Sequence, residues 1–348
     1  MKALIVKEPG QPEYTEFPKP VPKDDEALIK IYRNGICATD MEIVSGIASF
    51  MHDGTTSYPV RFGHEYSGIV EAVGKDCVNV KVGDKVVGEG VISCGKCENC
   101  LKGDYKNCLD TKCVGTLKTW PGSYAEYMVL PGRHLHVVPE NISHDEAALI
   151  EPCAIAMTGV NKAKIVPGES VCLVTGVGAI GIAAAAFCKW RGAKKVIISG
   201  RTQYKLDIAK AMGVDVCCNP REQDLVELVM KETDGHGADC VIECSGNISV
   251  LDDCMASLAH RGKIVIVGLY GKPYEKFDID GFLFKECSLD VVVDHAIPDV
   301  IQALKDGIDV TPLITRHIKF SECGDFMKQL LKEKTSDIKV MVDYDEFC

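Results

Sequence analysis

An apolar run, Val171-Cys172-Leu173-Val174-Thr175, leads directly into Gly176-Val177-Gly178-Ala179-Ile180-Gly181 and then into an alanine-rich stretch of helical composition. A strand, a glycine loop and a helix in that order constrain the fold more tightly than any other stretch of the chain. Each glycine has its own task in such a turn. Gly176 permits the tight bend, Gly178 lets a pyrophosphate approach the backbone, and Gly181 lets helix and strand pack closely. The first N–H groups of the helix lack intrahelical partners and suit phosphate oxygens. The plain alternative is a glycine-rich turn with no ligand.

The surroundings favour the nucleotide reading. Asp145 to Lys164 is helical in composition and is closed by Pro167-Gly168. Strands are then expected at Val171–Thr175, Lys195–Ser199, Asp239–Glu243 and Lys263–Val267. Helices are expected between them at Ala179–Trp190, Lys205–Met212 and Ile248–Leu258. This alternation predicts a doubly wound parallel sheet with helices on both faces. The strands read as continuous apolar runs, as strands buried on both sides do. After about residue 290 the alternation weakens, with helices expected at Pro298–Lys305 and Ser321–Lys332 and a strand at Ile338–Val342.

The end of the second strand bears on the cofactor. An acid there normally holds the adenosine ribose hydroxyls. The chain has Ser199-Gly200-Arg201-Thr202 instead, with Gly200 at the expected acidic position. A small residue removes the charge that repels a 2′-phosphate, and an arginine offers that phosphate a planar, bidentate partner. NADP(H) is the expected cofactor. The alternative is an Arg201 turned to solvent or stacked on adenine, with both NADP and NAD accepted.

The first 150 residues have another texture. Short β-branched runs such as Ala3–Val6, Ala27–Tyr32, Gly68–Gly74 and Asp84–Gly88 are bounded by glycine and proline, the pattern of an all-β barrel-like unit. Within it, Cys94, Cys97, Cys100 and Cys108 place four thiols in a short loop, a ligand set for one closed tetrahedral zinc. An iron–sulfur cluster and a redox disulfide pair are the competing readings. Gly35-Ile36-Cys37-Ala38-Thr39-Asp40 and Gly63-His64-Glu65 supply a second set of zinc-competent groups with one hydroxyl. Read alone, these are equally a buried cysteine and a surface His-Glu pair that never meet.

Bulk properties exclude several classes. A net charge of −11 argues against a broad grip on nucleic acid or an anionic membrane. No apolar run has the length of a membrane span, and none near Met1 suits a signal peptide. Cys348, the last residue, does not form a prenylation box. Secreted scaffolds dense in cysteine are short, whereas this chain carries its eighteen cysteines over 348 residues with a plausible core. Cys172, Cys217 and Cys218 read as small buried hydrophobes, and the chain is expected to be cytoplasmic and reduced.

Together these elements resemble the zinc-containing medium-chain alcohol dehydrogenases, and within them the polyol (sorbitol-type) branch. The resemblance runs in family order through Gly35-x-Cys37-x-Thr39-Asp40, Gly63-His64-Glu65-x-x-Gly68, Val80-x-x-Gly83-Asp84-x-Val86, the four cysteines, Gly122 to Tyr127, Glu151-Pro152 and Gly176 to Gly181. It continues through Glu243-Cys244-Ser245-Gly246 and Val267-Gly268-Leu269. It implies a GroES-like β-barrel catalytic domain over 1–155, completed by 291–348, around a Rossmann domain over 156–290. It also implies two zinc ions. Cys37, His64, Glu65 and Glu151 would share the catalytic one; Cys94, Cys97, Cys100 and Cys108 would hold the structural one.

The same resemblance implies the remaining roles. Asp40 would fix the His64 tautomer, and Thr39 would relay the alcohol proton, with His52 a candidate next member that reads more simply as an exposed loop residue. Gly176, Val177, Gly178, Ala179, Ile180, Gly181, Gly200, Arg201, Lys205, Ser245, Val267, Gly268 and Leu269 would contact the cofactor. The implied reaction moves a hydride between a polyol or sugar-type secondary alcohol and NADP(H). The alternatives are a threonine-type or bulky hydrophobic secondary-alcohol dehydrogenase using NAD(H), and a non-catalytic member. The small-molecule alcohol or ketone is the only ligand expected besides the cofactor and zinc, and dimers or tetramers are expected, with an edge near residues 269 to 293. Three departures stand out: Ala38 where the family has Gly, Glu151 where the ethanol-type members carry a third Cys ligand, and Val291 to Ile297, which lacks the usual pattern.

Overall fold

In the computed structural model, which describes residues 1–271, 277–293, 295–333 and 335–347, five strands of the first 150 residues and two of the tail, Ile314–Lys319 and Lys339–Asp343, pair into a seven-stranded sheet. Its central strand is Glu26–Gly35. Glu65–Val73 pairs with it antiparallel along its length. On its other side Tyr127–Pro131 pairs with the first half and Lys339–Asp343 with the second. Lys85–Gly88 and Leu135–Val137 extend the sheet beyond Glu65–Val73.

One core forms from the inward residues of these strands, among them Ile29, Ile31, Tyr66, Val70, Tyr124 and Met128. The tail belongs to it. Phe320, Met327, Val340, Val342 and Tyr344 lie in the same cluster. The chain accordingly divides into one unit of Met1–Glu151 with Ile314–Cys348 and a second of Pro152–Leu313; Cys348 itself lies outside the described residues.

The second unit carries six parallel strands in the sequence order 3-2-1-4-5-6, the dinucleotide-fold order. The first strand, Val171–Thr175, sits between Lys195–Ser199 and Ala238–Glu243. Val216–Cys218 closes one edge and Ser288–Val291 the other. Leu173, Ile197, Val241 and Ile264 fill one side of the sheet with Cys218 and Cys254. The expected reading of Cys172 and Cys218 as buried apolar side chains fits, since both are fully buried, whereas Cys217 is only half-buried.

The expected boundary at 291 is corrected. The chain returns to its first unit at Ile314. Ser288-Leu289-Asp290-Val291 is an edge strand and alternates polar with apolar residues, so it lacks the continuous apolar signature of the inner strands. Beyond residue 294, which is outside the described set, helix Ile297–Lys305 buries Ile297, Val300, Ala303 and Leu304. Ala296 N–H donates to Thr158 Oγ1 at 3.1 Å, and Asn161 donates to Asp299 at 2.7 Å, so this segment is tied to the second unit. No helix among the described residues is long and apolar enough to cross a membrane.

Candidate active site

Gly35 ends the central strand, and helix Ala38–Ser45 begins three residues later with Cys37 as its N-cap. Asp40 stabilises that start, its Oδ2 accepting from Cys37 N–H at 2.9 Å and from the Tyr124 hydroxyl at 3.0 Å. Gly63, with φ +93°, turns the neighbouring chain so that His64 and Glu65 enter from the start of the next strand. Cys37 Sγ, a His64 ring nitrogen and a Glu65 oxygen thereby come within 4.8 Å of one another. The two segments that sequence alone left separable do meet.

The electrostatics of this cluster suit a cation. Burial pulls the His64 pKa down, but the negative charges of Cys37, Asp40 and Glu151 more than offset that and raise it well above the imidazole norm. His64 Nδ1 and Asp40 Oδ1 face each other at 3.7 Å, too far for a hydrogen bond, and neither has another partner although both are buried. Buried orphans of this kind are rare. An ion on the other ring nitrogen would leave Nδ1–H to turn to Asp40 and give both a partner; the hydrogen bond expected between them is not made at 3.7 Å. Glu151 is buried in the first turn of helix Ile150–Ala163, close enough for its charge to act on His64 but not within the converging three.

Thr39 is half-buried in the first turn of its helix, and among the described residues its hydroxyl makes no hydrogen bond. His52 is exposed at the end of the short helix Ser49–His52, as the simpler reading held, while Phe50 and Met51 pack against the core.

Sequence reasoning missed Lys339. Its ammonium donates to both Glu65 oxygens, at 2.7 and 2.6 Å, and to Ile36 O at 3.1 Å. Glu65, Gly35 and Met341 are register neighbours across three adjacent strands, and Lys339 lies two residues from Met341 on the same face. A Cβ on Gly35 would stand 2.2 Å from Glu65 Oε2. The glycine of the Cys37 motif is therefore the gap over which carboxylate and ammonium meet. Burial works against the Lys339 charge, but Glu65 and Cys37 hold its pKa above the usual value. Of the two carboxylates expected to share the zinc, Glu65 is thus already paired with a buried ammonium. The signal was a lysine inside an otherwise apolar strand, Lys339-Val340-Met341-Val342.

Cys94, Cys97, Cys100 and Cys108 also converge within 4.8 Å. Three of the sulfur pairs stand 3.4, 3.9 and 4.0 Å apart. Metal–sulfur bonds of about 2.3 Å in a tetrahedron place sulfurs about 3.8 Å apart. A disulfide needs about 2.0 Å, so the redox-pair reading does not fit. A multi-iron cluster sets its cysteines on separate irons, further apart than these. Backbone N–H groups of Cys97, Cys94 and Asp110 point at the sulfurs of Cys94 and Cys108. Those of Leu109 and Cys100 hold the Cys97 thiol below the usual thiol range.

The glycine loop separates its three tasks in space. Gly176 has φ +100°, and its N–H donates to Ser199 O at 2.8 Å. A Cβ on Gly181 would meet Gly176 O at 2.0 Å, whereas one on Gly178, the N-cap of helix Ala179–Trp190, would meet nothing within 4 Å. The face of Gly178 is open to a phosphate, and a side chain would fill it. Glu243, fully buried, ties the neighbouring segments together. It accepts from Ser245 N–H at 2.7 Å, Gly246 N–H at 3.2 Å and the Tyr270 hydroxyl at 2.6 Å, and its carbonyl accepts from Val267 and Gly268 N–H. Arg201 and Leu269 are exposed, and Val177 is buried beside Gly200.

These features can be set beside known proteins. The family model for the alcohol dehydrogenase GroES-like domain matches residues 23–140, and that for the zinc-binding dehydrogenase domain matches 179–310. L-Threonine 3-dehydrogenase of Vibrio vulnificus is 34% identical over 329 residues, 92% of this chain and 93% of its own. The chain belongs to the zinc-containing medium-chain alcohol dehydrogenase family. Sorbitol dehydrogenase of Bacillus subtilis is 30% identical over 347 residues, 98% of this chain and 97% of its own. A zinc-binding dehydrogenase of Sinorhizobium meliloti, solved with NADP, superposes with a TM-score of 0.87 at 26% identity over 99% of both chains. This dehydrogenase is thus an oxidoreductase built from a GroES-like domain and a parallel-sheet Rossmann domain.

Proposed function

We propose that this dehydrogenase oxidises a polyol or sugar-type secondary alcohol, or reduces the matching ketone, with NADP(H). Cys37 and His64 hold a catalytic zinc, Glu65 or Glu151 completes its shell, and the four-cysteine loop holds a second, structural zinc. The observation that carries the reading is the convergence of Cys37, His64 and Glu65 on one point. When bound, the zinc supplies Lewis acidity that lowers the pKa of the alcohol, and the nicotinamide exchanges the hydride. The chain does the rest. Asp40 orients His64, and Thr39, whose hydroxyl makes no hydrogen bond among the described residues, takes the alcohol proton outward. Lys339 offsets the Glu65 charge, so the shell keeps enough net positive potential to favour an ionised alcohol. Gly176 to Gly181 cradle the pyrophosphate, while Gly200, Arg201 and Lys205 receive the 2′-phosphate.

A second reading pairs L-threonine with NAD(H); its substrate is the one named by the Vibrio vulnificus relative, an L-threonine 3-dehydrogenase. Steady-state kcat/KM over polyols, sugars, hydrophobic secondary alcohols and L-threonine, each with both cofactors, separates the two. The expected optimum is a polyol or sugar with NADP, several-fold better than with NAD. An optimum on L-threonine with NAD installs the second reading, and no turnover of zinc-replete protein on any substrate refutes both.

The Rossmann sheet ends on Ser288–Val291, whose Leu289 and Val291 are exposed together with nearby Val293, Ile279 and Phe284. An unpaired edge strand with an apolar face is a template for another strand. We take this edge as the place where a second copy pairs. Light scattering should give at least a dimer at micromolar protein, and Val291→Lys should shift it toward monomer; a wild-type monomer contradicts the assignment.

A further inference from the structure

Gly200 stands at the end of strand Lys195–Ser199, where a side chain would reach the adenosine ribose. Its backbone does not require glycine, since its φ is not positive. Something else does. A Cβ at this position would lie 2.3 Å and 2.4 Å from the two methyls of Val177 and 2.9 Å from its Cβ. Real Cβ atoms do not approach carbon so closely, so a side chain at 200 and Val177 in its present place are mutually exclusive.

Val177 has no easy way to yield. Valine is stiff at χ1, and this one is 9% exposed. Its loop is pinned to the strand by the Gly176 N–H to Ser199 O bond of 2.8 Å, and Gly200 is pinned on its far side by its N–H to Cys218 O at 3.0 Å. Neither partner can step away without losing a backbone hydrogen bond. Next to the bare position stands Arg201, exposed and, among the described residues, without an ion-pair partner.

We infer that Val177 is a specificity-determining residue: by filling the space of any side chain at 200, it keeps the cofactor mouth free of the carboxylate that would repel a 2′-phosphate. The inference rests on the NADP(H) reading above. It makes that preference a property of a residue pair, so the acid cannot be restored at 200 alone.

The test uses the zinc-replete enzyme, isothermal titration with NADP+ and NAD+, and thermal melting. Gly200→Ala adds only a methyl and isolates the steric part. It should weaken both cofactors by about ten-fold or more and lower Tm, and a second change, Val177→Ala, should recover most of both. Gly200→Asp alone should bind neither cofactor well. Val177→Ala with Gly200→Asp should bind NAD+ at least about ten-fold more tightly than Gly200→Asp alone. Where Gly200→Ala does not fold, recovery of folded protein in the double variant counts as the expected result, and failure to recover overturns the inference. It is equally overturned if Gly200→Ala leaves Tm and both affinities unchanged, or if Gly200→Asp alone binds NAD+ as well as the double variant. A wild type that binds NAD+ more tightly than NADP+ sinks the 2′-phosphate reading while leaving the rescue pattern measurable.

Discussion

A Cys37→Ala variant is expected to lose turnover altogether, together with one of two bound zinc ions, while staying folded. Cys37 is half-buried at a helix N-cap, and the fold draws little on its sulfur. The site draws on it heavily. Even partners that only orient a metal ligand are worth 10- to 100-fold in metal affinity, so removing a thiolate ligand itself should cost more. Cys100→Ala should do the reverse. Cys100 is 4% exposed within its lobe, and deleting it leaves three thiols gathered without an ion to bind them. That variant should also lose one zinc, but with a lower Tm and a near-normal rate per folded molecule. Metal analysis with kcat and melting on both proteins separates the roles. Near-native kcat in Cys37→Ala removes the catalytic assignment, and a purely kinetic defect in fully stable Cys100→Ala removes the structural one.

How far the sequence could be read depended on the range of each interaction. The glycine loop was legible because its three tasks are local. A positive φ, an open N-cap and a close helix–strand contact fall on Gly176, Gly178 and Gly181 as the turn chemistry requires. The four cysteines were legible as a converging set because one short loop holds them all. The edge strand Ser288–Val291 hid because one exposed face replaces the apolar run by alternation, and that shifted the expected return of the chain. Two features were out of reach. Val177 constrains Gly200 through a packing contact between a loop and a strand end. Lys339 reaches Glu65 across 274 residues of sequence, and only the register of three strands over Gly35 brings them together.

That last contact carries the second large effect. Lys339→Met is expected to destabilise the metal-free protein by about 3–5 kcal/mol, the usual consequence of leaving one member of a buried ion pair without its partner. Glu65 is 2% exposed, and Gly35 lies beneath it, so no water replaces the ammonium easily. At the cooperativity of a domain of this size, that is a fall in Tm of roughly 10 °C. Two comparisons make the cause specific. Changing Glu65 to Gln in the same protein should restore much of the loss, since removing both charges spares the desolvation of either. Zinc should also narrow the gap, because a Glu65 released from Lys339 has another cation to turn to, so the deficit should be smaller in zinc-loaded than in metal-free protein. Melting wild type, single variant and double variant, each with and without zinc, reads all of this. A metal-free Lys339→Met that melts with the wild type would mean that the ammonium offsets no charge at Glu65, and the paired carboxylate would have to be given up as the reason this shell tolerates two acids.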